Sequence, residues 1–308
     1  MPELSVTDLT VASGNLSLYE LLWRLPTELV LDFLERANAW ELRHGMPERV
    51  ASTFELVHEP IARTPGLGED GARTARECVE FLLCSNATTS ALATQLEHGA
   101  DVPLRIEWRG VEHVRRGAVV FAPHFGYLYA VPLALAALGR PSAVLGGEAA
   151  RDIVLGLFGA IAPRLTGSVD YLLVPSPGCA RAALDTLERG APLVMFPEVN
   201  RGATAGVGTA TTSFLGRTIR LPTTAARLAR MAGVDIVPTT ATPVTARHVV
   251  IEFGEPVAAP VDRHGDVEVS VRLFDWIERE VRRRPWLWLG WPMLDTDMAI
   301  TEPVAGRG

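Results

Sequence analysis

No lysine occurs anywhere in the 308 residues; all 29 basic side chains are Arg. That excludes chemistry built on a lysine amine, including phosphoryl transfer through a P-loop and Schiff-base formation. The formal net charge is −7, so the chain is not expected to wrap nucleic acid or to attach to anionic lipid by charge. Cysteine is scarce. Cys78, Cys84 and Cys179 form no Cys-x-x-Cys pair and are too few for a disulfide framework, which points to a reduced, cytoplasmic setting. The opening Met1-Pro2-Glu3-Leu4-Ser5 has no basic region followed by an apolar run, so no secretory signal is read there. The seven histidines include no His-x3-His or comparable ligand pair, and no metal site is expected. No Gly-x-Ser-x-Gly elbow occurs, which argues against a serine hydrolase. The glycine-rich stretch 202–208 lacks the strand–helix context of a dinucleotide fingerprint and reads as a flexible loop near a site.

Apolar side chain is plentiful. Hydrophobic residues make up 48% of the chain and charged residues 21%, ordinary for a globular protein with a sizeable core. The longest uncharged run, 117–139, is long enough to span a bilayer. It nevertheless contains Pro123, His124, Gly126 and Pro132, and its character changes midway. Val119-Val120-Phe121 favours a strand, whereas 133–138, alternating Leu and Ala, favours a helix. A buried strand, a turn and a helix account for it.

Residues 15–100 read as helical. Leu18, Leu21, Leu22 and Leu25 recur at helical spacing, as do Val30, Phe33, Leu34 and Ala37, with Pro26 between the runs and Thr27 as N-cap. A further pair of helices is predicted over 73–83 and 89–98. From 103 onward strands are expected at 104–108, 118–122, 142–145, 171–174, 193–196, 235–238 and 249–253. Helices are expected at 127–138, 151–161, 179–189, 224–231 and 267–283. Gly139, Gly190 and Gly233 sit where helices need a left-handed C-terminal residue. The alternation predicts an α/β fold with a mostly parallel central sheet flanked by helices. The organisation expected is an N-terminal helical region, 1–102, packed on an α/β core, 103–293, with a disordered tail, 294–308.

Ligands of open α/β sheets collect beyond the carboxyl ends of the strands, and two segments put polar groups there. In Ala122-Pro123-His124-Phe125-Gly126-Tyr127-Leu128-Tyr129, a histidine leaves a buried strand and precedes a helix. A neutral imidazole in that place can take a proton from an attacking hydroxyl or amine near pH 7; it can equally be a histidine hydrogen-bonded at a helix start. In Met195-Phe196-Pro197-Glu198-Val199-Asn200-Arg201-Gly202, a carboxylate, an amide and a guanidinium share one loop. Glu198 could orient His124 or bind an acceptor, and Arg201 could hold an anion; a local Glu–Arg pair on a solvated turn is the plainer alternative.

Together the segments resemble a family. Pro-His-Phe-Gly followed by an aromatic-rich helix resembles the His-x4-acid block of the glycerolipid and lipid A acyltransferase superfamily. Phe196-Pro197-Glu198-Val199-Asn200-Arg201 resembles its Phe-Pro-Glu-Gly-Thr-Arg block, and Val234-Asp235-Ile236-Val237-Pro238 its later strand-plus-proline block. Ser213-Phe214-Leu215-Gly216 with Pro222-Thr223 and Ala226-Arg227-Leu228-Ala229, then Pro285-Trp286-Leu287-Trp288, is similar to the branch of late lipid A and phosphatidylinositol mannoside acyltransferases. The resemblance covers 115–291 with its blocks in order.

That resemblance implies direct transfer of an acyl group from an acyl-CoA or acyl-carrier-protein thioester to an amine or hydroxyl of a small-molecule or lipid acceptor, with no metal or bound cofactor. His124 would be the general base and Glu198 its partner, while Asn200, Arg201, Tyr127, Tyr129 and Arg164 would contact substrate. Backbone N–H groups opening the helix after His124 would stabilise the oxyanion. The chain departs from the pattern at the motif acid, which is Tyr129, and at Tyr127, where many lipid A enzymes have Asn. It also lacks an apolar anchor helix in 15–40, which implies a cytoplasmic enzyme with a soluble acceptor of specialised metabolism. The competing readings are a non-catalytic thioester-binding protein on the same fold and a membrane-surface glycolipid acyltransferase peripheral to the inner face.

Overall fold

Val119-Val120-Phe121 forms a strand buried on both sides, and the fold is organised around it. The computed structural model describes residues 48–97, 105–114, 117–148, 151, 167–198, 209–245, 248–298 and 300, together with 26, 29–33, 36, 39 and 40. The helix expected at 151–161, the loop 202–208 and most of 15–40 lie outside them.

Nine strands are described: β1 (Arg105–Arg109), β2 (Val119–Phe121), β3 (Ser142–Gly146), β4 (Val169–Leu173), β5 (Leu193–Met195), β6 (Thr209–Phe214), β7 (Arg217–Pro222), β8 (Ile236–Thr245) and β9 (His248–Phe253). The longer helices are α1 (Glu48–Ala62), α2 (Gly71–Glu97), α3 (Ala130–Ala137), α4 (Cys179–Glu188), α5 (Thr224–Ala232) and α6 (Arg263–Arg283). Seven strands make one sheet in the order β1-β9-β8-β2-β5-β3-β4. Its pairings are parallel except β8–β9, an antiparallel hairpin. The fold is α/β, with a mostly parallel sheet between helices.

Alternate residues of a strand face opposite sides of its sheet, and β2 shows the consequence. Val119 and Phe121 join a cluster with residues of α4, α5 and α6, whereas Val120 joins a second cluster with α3 and β9. In α6 the buried Val269, Leu273, Phe274, Ile277 and Val281 fall on one helical face. Its first turn is capped by Asp262, whose carboxylate accepts from Gly265 N at 2.9 Å. Gly139, Gly190 and Gly233 take the left-handed conformation expected of them, at φ of 74, 76 and 66°.

Three features differ from the sequence-based expectations. The helices expected at 73–83 and 89–98 are one continuous helix, α2. Ser85-Asn86-Ala87-Thr88 has side chains that compete for backbone hydrogen bonds and mimic a break, but Ser85 and Thr88 are buried by packing that holds the helix through them. Residues 209–222, expected to hold no strand, form the β6–β7 hairpin. Its two-residue turn has Leu215 at φ 49° and Gly216 at φ 78°, a conformation usually announced by Asn-Gly. The buried Leu215 side chain and a hydrogen bond from its N–H to Glu278 (3.0 Å) hold the turn instead. Finally, 294–298 belongs to the packed structure and not to a disordered tail. Leu294 and Met298 are buried, and Asp295 pairs with Arg217 at 2.9 Å.

Candidate active site

The parallel pairing of β2 with β5 aligns Phe121 with Met195. Three residues on from each partner stand His124 and Glu198, so both chains leave the sheet side by side and carry these side chains to the same level. Glu198 Oε1 accepts the backbone N–H of His124 at 2.8 Å, and Oε2 lies 3.0 Å from His124 Nδ1. A third donor comes from far along the chain: Trp288 Nε1–H donates to Oε1 at 3.0 Å. The Glu198 side chain is 0% exposed and that of His124 20%. A buried carboxylate is costly unless its lone pairs are matched by donors; here three N–H groups converge on it. An ionised carboxylate only accepts, so Nδ1 carries the proton and Nε2 keeps a free lone pair.

The turn bearing His124 is held on both flanks. Gly126 N–H donates to Leu287 O (2.9 Å), Leu289 N–H to His124 O (2.7 Å) and Tyr127 N–H to Ala241 O (2.9 Å). Gly126 is at φ 67°, and a Cβ there would stand 2.0 Å from Ala241 O. Only glycine allows this approach of the turn to β8.

These contacts narrow one expectation, the backbone donors for an oxyanion. Every backbone N–H from His124 to Leu128 already has a partner: Glu198 for His124, Pro123 O for Phe125, Leu287 O for Gly126, Ala241 O for Tyr127 and Gly126 O for Leu128. The N–H groups of 124–128 are therefore committed, whereas that of Tyr129, the N-cap of α3, has no acceptor among the described residues.

Aromatic rings wall one side. Phe196 lies 5.5 Å from the His124 ring, and Tyr129 packs edge-on against Phe196 at 6.2 Å. Among the described residues no hydrogen bond joins Tyr129 to His124. Burial raises the pKa of Tyr129, and burial first, then Tyr129, pushes Tyr171 up to about 12. Tyr171 donates its hydroxyl proton to Gly147 O at 2.7 Å. The Tyr127 ring tilts against Phe81 at 5.6 Å. Arg164, Asn200 and Arg201 lie outside the described residues.

Cys78 sits beneath the site, its Sγ 3.8 Å from Trp288 O. Burial pushes its thiol up to about 12, so it is no nucleophile at neutral pH. Among the described residues no three His, Cys, Asp or Glu side chains gather as a metal site requires. A separate cleft of about 520 Å³, lined by Arg73, Arg282, Arg283 and Trp286 among others, does not include His124. Its three arginines are each committed to a neighbouring carboxylate.

Trp288 is the site residue that sequence reasoning missed. On composition alone it is a core anchor, and only the Trp-x-Trp spacing of the resemblance drew notice to it. Nothing local to 285–288 signals that its indole N–H reaches a loop 90 residues away.

Fold and site together define an α/β protein carrying a histidine–carboxylate couple at the carboxyl edge of its central strands. No protein-family model and no curated protein matches the chain. Among solved structures it is similar to the crystal structure of the 1-acyl-sn-glycerophosphate (LPA) acyltransferase, PlsC, from Thermotoga maritima. The identity is 15% and the TM-score 0.34, over 77% of this chain and 97% of that one. A likeness at that level assigns neither a family nor an activity, and the functional reading rests on the site.

Proposed function

We propose that the protein is an acyltransferase that moves an acyl group from an acyl-CoA or acyl-carrier-protein thioester to an amine or hydroxyl acceptor. The observation that carries this reading is the sealed Glu198 carboxylate on Nδ1 of a reachable His124, which leaves Nε2 as a base. Nε2 takes the acceptor's proton as the acceptor attacks the thioester carbonyl, and Glu198 stabilises the imidazolium that forms. Collapse of the tetrahedral intermediate breaks the C–S bond, and the imidazolium returns the proton to the thiolate. The ordered blocks of the resemblance favour a thioester donor. Arg201 and Arg164 would bind phosphate of donor or acceptor; Asn200 and Tyr127 would contact the acceptor.

The test is thiol release from a panel of acyl-CoAs and acyl-carrier proteins with mixed amine and alcohol acceptors, comparing wild type with His124→Ala. Acceptor-dependent release by the wild type and its loss in the variant is expected. Binding of thioester without release, alike in both proteins, would favour the non-catalytic reading.

One observation favours a lipid acceptor at a membrane surface. Leu29, Phe33 and Trp40, at helical spacing with Arg36 between them, are each more than half exposed. Large apolar side chains exposed along a helix suit a bilayer interface through their apolar surface, not through charge, since Glu28, Asp32 and Glu35 accompany Arg36 in the same stretch. No helix among the described residues is long and apolar enough to cross a membrane. Flotation with neutral phosphatidylcholine liposomes checks this: wild type should rise with the vesicles and Phe33→Asp should stay behind. A wild type that remains at the bottom returns the acceptor to solution.

A further inference from the structure

The cleft that leaves out His124 has no part in the chemistry above. It holds about 520 Å³ and lies where the first turns of α2 meet the last turn of α6. The positive end of one helix dipole and the negative end of the other meet there and offset each other, so side chains decide what the cleft attracts. We propose that it binds a small organic cation, an ammonium group carried on an apolar body. This site is not the acceptor's, since the cleft does not include His124, and the proposal stands whether or not the protein transfers acyl groups.

The formal charges along the cleft balance, but their partners do not. Arg73 pairs with Asp70 at 2.7 Å, Arg282 with Glu278 at 2.7 Å and Arg283 with Glu280 at 3.3 Å. Arg282 also donates to Pro65 O at 2.8 Å. The arginines therefore have their acceptors. Two of the acids have no donor: half-buried Glu77 and exposed Glu69 make no hydrogen bond or ion pair among the described residues. A carboxylate taken partly out of water without a donor has lost hydration and gained nothing in return.

Two further side chains point to the same ligand. Thr74 is only 5% exposed and borders the cleft, yet its hydroxyl has no partner among the described residues. Buried hydroxyls are ordinarily bonded, and three residues before Glu77 this one shares a face of α2 with it. From the α6 side comes Trp286, 36% exposed, whose ring meets no other aromatic or cationic group among the described residues. An ammonium group has three donors and no acceptor. The oxygens of Glu77 and Thr74 accept from it, the Trp286 face takes its charge, and the ring covers its apolar body.

Isothermal titration calorimetry of the full chain with three probes of similar shape tests this: phenethylammonium, neutral 2-phenylethanol and anionic 3-phenylpropanoate. Phenethylammonium should bind about tenfold tighter than either analogue. Glu77→Gln, which keeps the shape of the side chain, should weaken that binding about tenfold, and Trp286→Ala about threefold or more. His124→Ala should bind as wild type does. Melting temperatures establish that each variant is folded; where one is not, the three probes on wild type decide alone. No binding of phenethylammonium, equal or tighter binding of either analogue, or an affinity that Glu77→Gln leaves unchanged would overturn the proposal. Loss of binding in folded His124→Ala would place the amine at the active site and overturn it as well.

Discussion

Glu198→Gln is expected to lower kcat about 10³–10⁴-fold, nearly as far as His124→Ala, with little change in KM. The reason is the tautomer of His124. Glu198 presents Oε1 to two N–H donors, the His124 backbone and the Trp288 indole, and Oε2 to Nδ1. A Gln amide has one oxygen and one NH2. If the NH2 stood at the Oε1 position it would meet two N–H groups and leave both unsatisfied in a buried place. The lower-energy orientation puts the oxygen there and turns the NH2 toward Nδ1. Nδ1 must then accept, the imidazole proton moves to Nε2, and the base is gone although every heavy atom is in place. The variant also removes the negative charge that would stabilise the imidazolium. Residues acting as one unit are not additive, so His124→Ala combined with Glu198→Gln should be no slower than His124→Ala alone. Nitrogen-15 NMR of the histidine ring gives a second readout, independent of any substrate. Wild type should show the Nδ1–H tautomer of His124 and Glu198→Gln the Nε2–H tautomer. An unchanged tautomer with unchanged kcat would remove Glu198 from the mechanism.

Trp288→Ala should be the most destabilising single change near the site. The ring is wholly buried, packs edge-on against Phe214 at 5.7 Å and against Trp291 at 4.9 Å, and bonds Glu198. Truncating a buried aromatic to alanine costs about 3–5 kcal/mol, and here a carboxylate sealed from water also loses one of its three donors. Urea unfolding measures the loss, read as a lower midpoint at an unchanged slope. Trp288→Phe refills most of the volume and deletes the N–H alone. It should recover most of the stability yet remain slower than wild type, because Glu198 is then free to turn away from Nδ1. If Trp288→Phe equals wild type in rate, the indole is packing only and Glu198 is held sufficiently by the backbone of His124.

Much of the fold is legible in single segments, since it follows from local pattern. The uninterrupted apolar triplets at 119–121 and 193–195 announce strands covered on both faces, and the stripe from Val269 to Val281 announces the buried face of α6. The glycines at 139, 190 and 233 mark helix ends because a left-handed residue there has little alternative. The candidate acid and base are legible as residue types, each just beyond such a strand. By contrast, the β6–β7 turn carries Leu where Asn is usual, and burial of that side chain decides its conformation. The polar stretch 85–90 looks like a break, yet α2 runs through it with Ser85 and Thr88 buried. The reversal at β8–β9 is likewise a matter of pairing, which neither strand's composition reveals.

The sequence by itself determined which residues could do chemistry here, because an imidazole and a carboxylate have their proton affinities wherever they stand, and because buried strands and helices have periods that can be read along the chain. Only the tertiary structure decided which of those residues meet. The β2–β5 register brings His124 and Glu198 to hydrogen-bond distance across 74 residues, and the segment after α6, bridged to Phe125 at Trp288, delivers that indole to the same carboxylate. It also committed the N–H groups of 124–128 to partners within the protein. The reason is physical: hydrogen bonds depend on distance and direction over a few ångströms, and those are set by how strands pair and layers pack, not by the order of residues in either segment.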